Sequence, residues 1–152
     1  MKFHDQMFAK AQDFNKHIKC VEQMEKFIDT QPSELVEVTD IIFKWTNLRL
    51  NESSNTKLAL SIFTLYQNML KMFIETDYQL QEFEALVLLG TLCDKSGINQ
   101  KVLQEQVRKL IRMCYEVYDK KGCYRVLIDA GVKSKNLKSV AEVLDEISDF
   151  VV

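Results

Sequence analysis

Two histidines and four cysteines are the rarest side chains of this sequence among those that can act as nucleophiles, proton-transfer groups or metal ligands. His4 and His17 form no H-x-x-x-H or H-E-x-x-H spacing, which would place two ligands on one helix face. The cysteines form no C-x-x-C pair and lie among apolar residues at helical spacing, so we interpret them as reduced core thiols of a cytosolic protein; they are Cys20, Cys93, Cys114 and Cys123. Glycine-rich phosphate loops do not occur either. The sequence therefore predicts no enzyme, no metal site and no cofactor.

The more informative polar residues are lysines at the boundaries between predicted helices. They are Lys57, Lys95, Lys101, Lys133, Lys135 and Lys138. If the helices pair in sequence order, these lysines align along one edge, although the whole chain has a net charge of -2. The alternative is ordinary solubilising surface, which composition alone favours. The slightly acidic balance predicts no nonspecific binding to nucleic acid.

The composition indicates that helices position these residues. Hydrophobic residues make up 47% and charged residues 28% of the chain, as in a globular protein that folds. Only four glycines and one proline occur, whereas an all-β domain needs frequent turn residues. No apolar run approaches the length of a membrane span, about 18 residues or more, and no signal-peptide pattern opens the chain. We expect neither membrane insertion nor secretion.

Apolar residues recur at the helical period along most of the chain. The stripes are Phe14, Ile18, Val21, Met24, Phe27 and Ile28; Leu35, Val38, Ile41, Ile42, Trp45 and Leu48; Leu58, Ile62, Leu65, Met69, Met72 and Phe73; Phe83, Leu86, Val87, Leu89, Leu92 and Cys93; Leu103, Val107, Leu110, Ile111, Cys114 and Val117; Tyr124, Leu127 and Ile128; and Val140, Val143, Leu144, Ile147 and Val151. Phe3, Met7 and Phe8 predict a short helix before the first stripe. Asp13 fits an N-cap, Pro32 a first helical turn and Gly131 the left-handed position after a helix end.

These helices form sequential pairs with short turns, in a single domain over residues 1–152. The pairs cover about residues 1–30, 32–75, 80–118 and 119–152, a repeat of roughly 35 to 45 residues that is typical of HEAT and armadillo solenoids. The predicted fold class is therefore all-α, an alpha-alpha superhelix of antiparallel helix pairs. A plain helical bundle is the alternative architecture.

Three runs of sequence resemble the TOG domains of the microtubule polymerases related to chTOG and the yeast Stu and Dis proteins, the fourth TOG above all. The runs are MFAKAQDFNKHIKCVEQMEKF, DIIFKWTNLRLNESSNTKLAL and GVKSKNLKSVAEVLDEI, and the spacing between them also fits. The resemblance covers almost the whole chain. A TOG domain has six HEAT pairs, so the expected structure is a partial array of about the first four.

The resemblance implies a tubulin-binding edge formed by the turns within the pairs, with the helices behind as scaffold. Carried over position by position, it places Phe14 and Lys16 in the first turn; Asn51, Ser53, Ser54, Asn55 and Lys57 in the second; Lys95, Asn99 and Lys101 in the third; and Lys133, Lys135, Asn136 and Lys138 in the fourth. Phe14 would be an apolar anchor, and the lysines would face tubulin's acidic surface.

The implied partner is the αβ-tubulin heterodimer or the microtubule end, in a protein that regulates microtubule growth and spindle organisation. The implied location is the cytoplasm and cytoskeleton: microtubules, the spindle, and the centrosome or spindle pole. A second reading is a HEAT-type adaptor or self-association module, because an array that ends after its fourth pair leaves an apolar face uncapped.

Overall fold

The computed structural model describes residues 2–151, with side chains over 2–149, and in this range helices alternate with turns and there is no strand. The predicted stripe position Val151 and the domain termini 1 and 152 lie outside the described side chains. The helices are α1 (Phe3–Met7), α2 (Phe14–Thr30), α3 (Pro32–Glu37), α4 (Thr39–Glu52), α5 (Thr56–Glu75), α6 (Glu82–Lys95), α7 (Lys101–Val117), α8 (Lys120–Val126) with a π-helical continuation (Leu127–Gly131), and α9 (Leu137–Val151). Within the described range, no helix is long and apolar enough to cross a membrane.

The chain divides between Glu75 and Thr76 into two compact units. The first unit contains α1 paired with α2, and α3 and α4 paired with α5; α2 packs along α5. Pro32 is the first residue of α3, as predicted. The single helix expected after Pro32 is interrupted at Val38, whose backbone leaves helical geometry between α3 and α4.

The core of the first unit confirms the stripe of α5 and corrects that of α4. All six predicted residues of α5 are buried. The predicted Ile41 and Leu48 on α4 are exposed, as are Val38 between α3 and α4 and Phe27 on α2. Phe43, Thr46 and Arg49 are buried instead, because α4 turns a partly polar face to the core. The hydroxyls of Thr46 and Tyr66 pair there at 2.6 Å.

The second unit pairs α6 with α7, and the π-helical continuation of α8 with α9. Every residue of the predicted α7 stripe is buried. Glu84 closes a reciprocal capping box with Gln81 at the start of α6 and is itself buried, which fixes the rotation of that helix. Four residues of the other predicted stripes are exposed instead of buried: Phe83, Leu86, Ile128 and Leu144. These helices carry apolar residues on more than one face, and only one face packs against the core.

The prediction that Gly131 is a left-handed helix end is wrong. No described glycine has a positive φ, and Gly131 is the last residue of the π-helical segment. A Cβ at this position would overlap the side chain of Val143 on α9. Glycine is therefore needed there for close helix packing and not for backbone handedness.

Candidate functional site

The four turns inside the helix pairs span residues 8–13, 53–55, 96–100 and 132–136. Seven predicted site residues lie within these turns, or at most two residues into the following helix, and are exposed: Ser54, Lys57, Asn99, Lys101, Lys133, Lys135 and Lys138. Asn136 is also exposed but caps α9, while Ser53 and Asn55 are half-buried. Asn51 belongs to α4, where its amide donates to Asn47 Oδ1.

The first turn presents a different aromatic residue from the one expected. Phe14 is the first residue of α2 and is half-buried, and Lys16 pairs with Asp13 at 3.3 Å. Phe8, at the start of the turn, has 66% of its surface exposed. Sequence reasoning assigned Phe8 to the packing of a short helix. The run that follows, AKAQD, consists mostly of good helix formers, so the sequence carried no signal that this aromatic residue precedes a loop.

The first and second turns of the first unit are joined by a buried polar cluster. Arg49, near the end of α4, places Nη1 3.4 Å from His17 Nε2 and 2.8 Å from a carboxylate oxygen of Glu52. His17 is almost fully buried, and burial, with a further contribution from the Arg49 charge, lowers the pKa of its imidazole below 6.5. The cluster links the segment beside turn 8–13 to the helix end that leads into turn 53–55.

The second and fourth turns share a Ser-x-Asn capping arrangement. In turn 53–55 the Asn55 amide donates to Ser53 Oγ, and Asn55 Oδ1 accepts from the Leu58 amide at 3.0 Å. In turn 132–136 the Asn136 amide likewise donates to Ser134 Oγ, and Asn136 Oδ1 accepts from the amide of Lys138 at 3.0 Å. These asparagine side chains therefore cap the following helices. The repeated Ser-x-Asn was the sequence signal for this shared turn.

The third and fourth turns lie side by side in the second unit. The Gly97 amide donates to Ser139 Oγ at 3.1 Å, and the same hydroxyl lies 3.1 Å from the carbonyl oxygen of Asp94. Lys138 donates from Nζ to Asn99 Oδ1 at 2.6 Å. These contacts fix the register of α9 against the end of α6, so the two turns that carry the predicted lysines adjoin each other.

The adjoining turns carry an exposed positive surface, which we call the lysine surface and define as Lys101, Lys133, Lys135 and Lys138. Lys95, at the end of α6, is not part of this surface because its side chain is half-buried; burial lowers its pKa. A cluster of exposed ammonium groups attracts an acidic macromolecular surface and orients it during encounter.

The cysteine side chains have the properties of core residues. All four are buried and free, as predicted. Burial raises the pKa of Cys20, Cys93 and Cys123 to about 12 and also raises that of Cys114. Thiols with such pKa values carry little of the thiolate form that nucleophilic attack requires. Among the described residues, no group of three or more His, Cys, Asp or Glu side chains is arranged to hold a metal ion.

No protein-family model matches the chain, but individual relatives do. It is 29% identical over 139 residues to Protein MOR1 of Oryza sativa subsp. japonica, an alignment of 91% of this chain and 7% of that protein. It is 28% identical over 149 residues to Protein mini spindles of Drosophila melanogaster, covering 98% of this chain and 7% of that protein. The chain thus spans less than a tenth of the length of these relatives.

Solved structures resemble the described fold over nearly its full length. One comes from a study of how TOG–tubulin binding specificity promotes microtubule dynamics and mitotic spindle formation; it has a TM-score of 0.89, 26% identity, and covers 98% of this chain and 59% of that chain. The other, a TOG domain of Zyg9 from C. elegans, has a TM-score of 0.84 and 24% identity, covering 93% of this chain and 52% of that chain. They confirm the predicted all-α fold of HEAT-type helix pairs.

Proposed function

We propose that this chain, which belongs to the TOG-domain family, is a non-catalytic module that binds the αβ-tubulin heterodimer through the turns inside its helix pairs. The observation that carries the proposal is the lysine surface, held in register by the Gly97–Ser139 and Lys138–Asn99 hydrogen bonds. Tubulin is acidic, so these ammonium groups would speed encounter and orient the complex.

The first unit would add contacts of a different kind. Phe8 is the largest exposed apolar side chain of turn 8–13, and Phe14 lies half-buried at the start of α2. Burying an exposed aromatic side chain against a partner contributes about 1.5–3 kcal/mol, more than an exposed ion pair usually does. We assign the apolar anchor to Phe8, with Phe14 supporting it, and polar contacts to Ser54 and Lys57.

The cellular role that follows is recognition of tubulin without chemistry, in a protein that regulates microtubule growth and spindle organisation. Among related domains we place this one as a fourth TOG, on the strength of the three sequence runs that resemble that domain. The corresponding location is the microtubule cytoskeleton, including the spindle and its poles or the centrosome.

The direct test is co-elution of the full chain with unpolymerised tubulin in gel filtration, supported by a titration of affinity. We expect wild type to co-elute at micromolar concentration and Lys133→Glu/Lys135→Glu to bind at least tenfold more weakly. The matched control is Lys120→Glu/Lys121→Glu, which makes the same charge change at the start of α8, at the other end of that helix from turn 132–136. Equal affinity for the two double variants would remove the lysine surface from the interface, and no co-elution of wild type would refute tubulin binding.

A second candidate function is self-association, or docking of another HEAT-type protein, on α9. Leu137 and Leu144 are one heptad apart on that helix, with exposed fractions of 83% and 51%. Light scattering over a wide concentration range tests this: a Leu144→Lys variant should shift a self-associating species toward monomer. A wild-type chain that remains monomeric throughout would eliminate self-association.

A further inference from the structure

Phe8 is held from both sides by side chains of other helices. The carbonyl oxygen of Met7, the residue before it, accepts a hydrogen bond from Trp45 Nε1 of α4 at 2.9 Å. The carbonyl oxygen of Ala9, the residue after it, lies 3.1 Å from His17 Nε2 of α2. Side chains of α4 and α2 therefore hydrogen-bond to the backbone on either side of the exposed aromatic residue.

The segment needs such support because it has little of its own. α1 contains only five residues and none of them is buried. An isolated helix of that length is unstable in water, since nucleation is costly and few hydrogen bonds follow it. The ring of His4 at 4.7 Å is an exposed neighbour of Phe8 and provides no anchor in the core.

The hydrogen-bond pattern identifies which nitrogen of His17 carries the proton. Nε2 faces both the Ala9 carbonyl, which requires a donor, and Arg49 Nη1, which requires an acceptor. Arg49 Nη1 already lies 2.8 Å from Glu52, whereas the Ala9 bond is the shorter of the two contacts of Nε2. We therefore assign the neutral imidazole with the proton on Nε2, donating to Ala9.

The side chains of His17 and Trp45 also pack against each other. The rings of His17 and Trp45 meet edge to face with centroids 5.9 Å apart. The Arg49 guanidinium lies 5.7 Å from the centroid of the Trp45 ring. Because both rings are nearly fully buried, the donors that reach Met7 and Ala9 have restricted rotamers.

We propose that His17 and Trp45 are positioning residues that fix Phe8 in the orientation in which it meets its partner. The inference rests on the proposed function, because it takes Phe8 to be the apolar contact with tubulin. Both residues act through the backbone of residues 7–9 and touch no partner themselves. Preorganising the turn removes an ordering cost that binding would otherwise incur.

The order of the turn is measured without tubulin by trypsin cleavage after Lys10, which is exposed in turn 8–13 of the full chain. Trp45→Phe keeps an aromatic ring and deletes the donor to Met7; His17→Leu deletes the donor to Ala9; His17→Gln restores an amide donor. A single hydrogen bond contributes about 1 kcal/mol, so each deletion should speed cleavage about fivefold, and His17→Gln should return most of the protection. Urea unfolding identifies any variant that has lost its global fold.

Tubulin affinity is then measured for the same variants and for Phe8→Ala. We expect Trp45→Phe and His17→Leu to weaken binding several-fold with Phe8 present, and Phe8→Ala to weaken it without faster cleavage after Lys10. Unchanged cleavage in both folded deletion variants would overturn the inference, whatever tubulin does. If wild type binds no tubulin while the cleavage pattern is as expected, the proposed function is wrong. The ordering of residues 7–9 by His17 and Trp45 is then still supported.

Discussion

Lys138 Nζ donates to Asn99 Oδ1 over 2.6 Å, which ties the start of α9 to the turn between α6 and α7. This contact is made to a neutral amide, which brings no opposite charge to the lysine. Asn99 restrains the rotamers of Lys138 without reducing the positive electrostatic potential that an acidic partner would meet.

Removing the restraint should weaken binding while sparing the fold. In Asn99→Ala, Lys138 keeps its charge but must be ordered when tubulin binds, at a cost of about 0.5–1.5 kcal/mol, or roughly two- to tenfold in affinity. Titration of labelled tubulin measures the change, and thermal unfolding should be unaltered. An affinity equal to wild type would mean that the orientation of Lys138 is irrelevant.

Two glycines near each other in sequence should respond oppositely to alanine. A Cβ at Gly97 would lie 2.5 Å from the backbone nitrogen of Ser139, whereas a Cβ at Gly90, inside α6, would meet nothing within 4 Å. Gly97→Ala should lower the free energy of unfolding by about 1–3 kcal/mol through overpacking. Gly90→Ala should raise it by up to about 1 kcal/mol through helix propensity. Urea denaturation of both variants gives the comparison, and changes of the same sign would contradict it.

The ion pairs between α7 and α9 should differ in importance according to the burial of the carboxylate. Glu146 is 3% exposed and accepts from Arg112 Nε at 3.1 Å and from the Tyr115 hydroxyl at 3.3 Å. Arg112→Met leaves that carboxylate buried without its cation and should cost about 1–2 kcal/mol, less than for a fully buried pair because Arg112 is half-exposed.

The matched control for that pair is Arg108→Met. Its partner Glu142 is 20% exposed and retains more contact with water after the change, so the loss should be smaller. Chemical denaturation at low and high salt measures both variants. A larger loss for Arg108→Met would show that burial of the acid is not the deciding factor.

Stability should decrease in mildly acidic solution because of His17. Its pKa in the folded protein lies below its ordinary value of 6.5, chiefly because burial disfavours the charged imidazole; the hydrogen bond to Ala9 opposes this effect, Arg49 lowers the pKa further and Glu52 raises it. As the pH falls below about 6.5 the unfolded chain takes up a proton that the folded chain resists, so the free energy of unfolding falls; above that pH the contribution is constant. His17→Gln should show a flatter pH profile between pH 5 and 7, and an identical slope in both proteins would contradict the assignment.

The sequence specified the helices with strong stripes and left ambiguous those with partly polar cores. On α5 and α7 apolar residues are confined to one face, so periodicity identified the buried side. On α4 both faces carry apolar residues, and the buried face includes Thr46 and Arg49, which become acceptable inside only through tertiary partners. A single sequence contains no information about such pairings.

The exposure of most turn lysines could be predicted from the sequence, whereas the backbone placement of the first turn could not. Lys101, Lys133, Lys135 and Lys138 are exposed and Lys95 is half-buried, and the contact between Lys138 and Asn99 joins the third and fourth turns. The exposed position of Phe8 was not predicted, because the hydrogen bonds to its neighbours come from His17 and Trp45 on other helices. Asn55 and Asn136 were assigned to binding. In the structure their side-chain Oδ1 atoms cap the N-termini of α5 and α9.

The hydrogen bond from Trp45 to Met7 has a practical consequence, since Trp45 is the one tryptophan in the chain. Its indole joins α4 to the end of α1, and its emission therefore originates from a single site beside the first turn. Release of that segment would expose the ring to water and shift the emission to longer wavelength. The protein thus carries an intrinsic fluorophore that reports on its first turn without labelling.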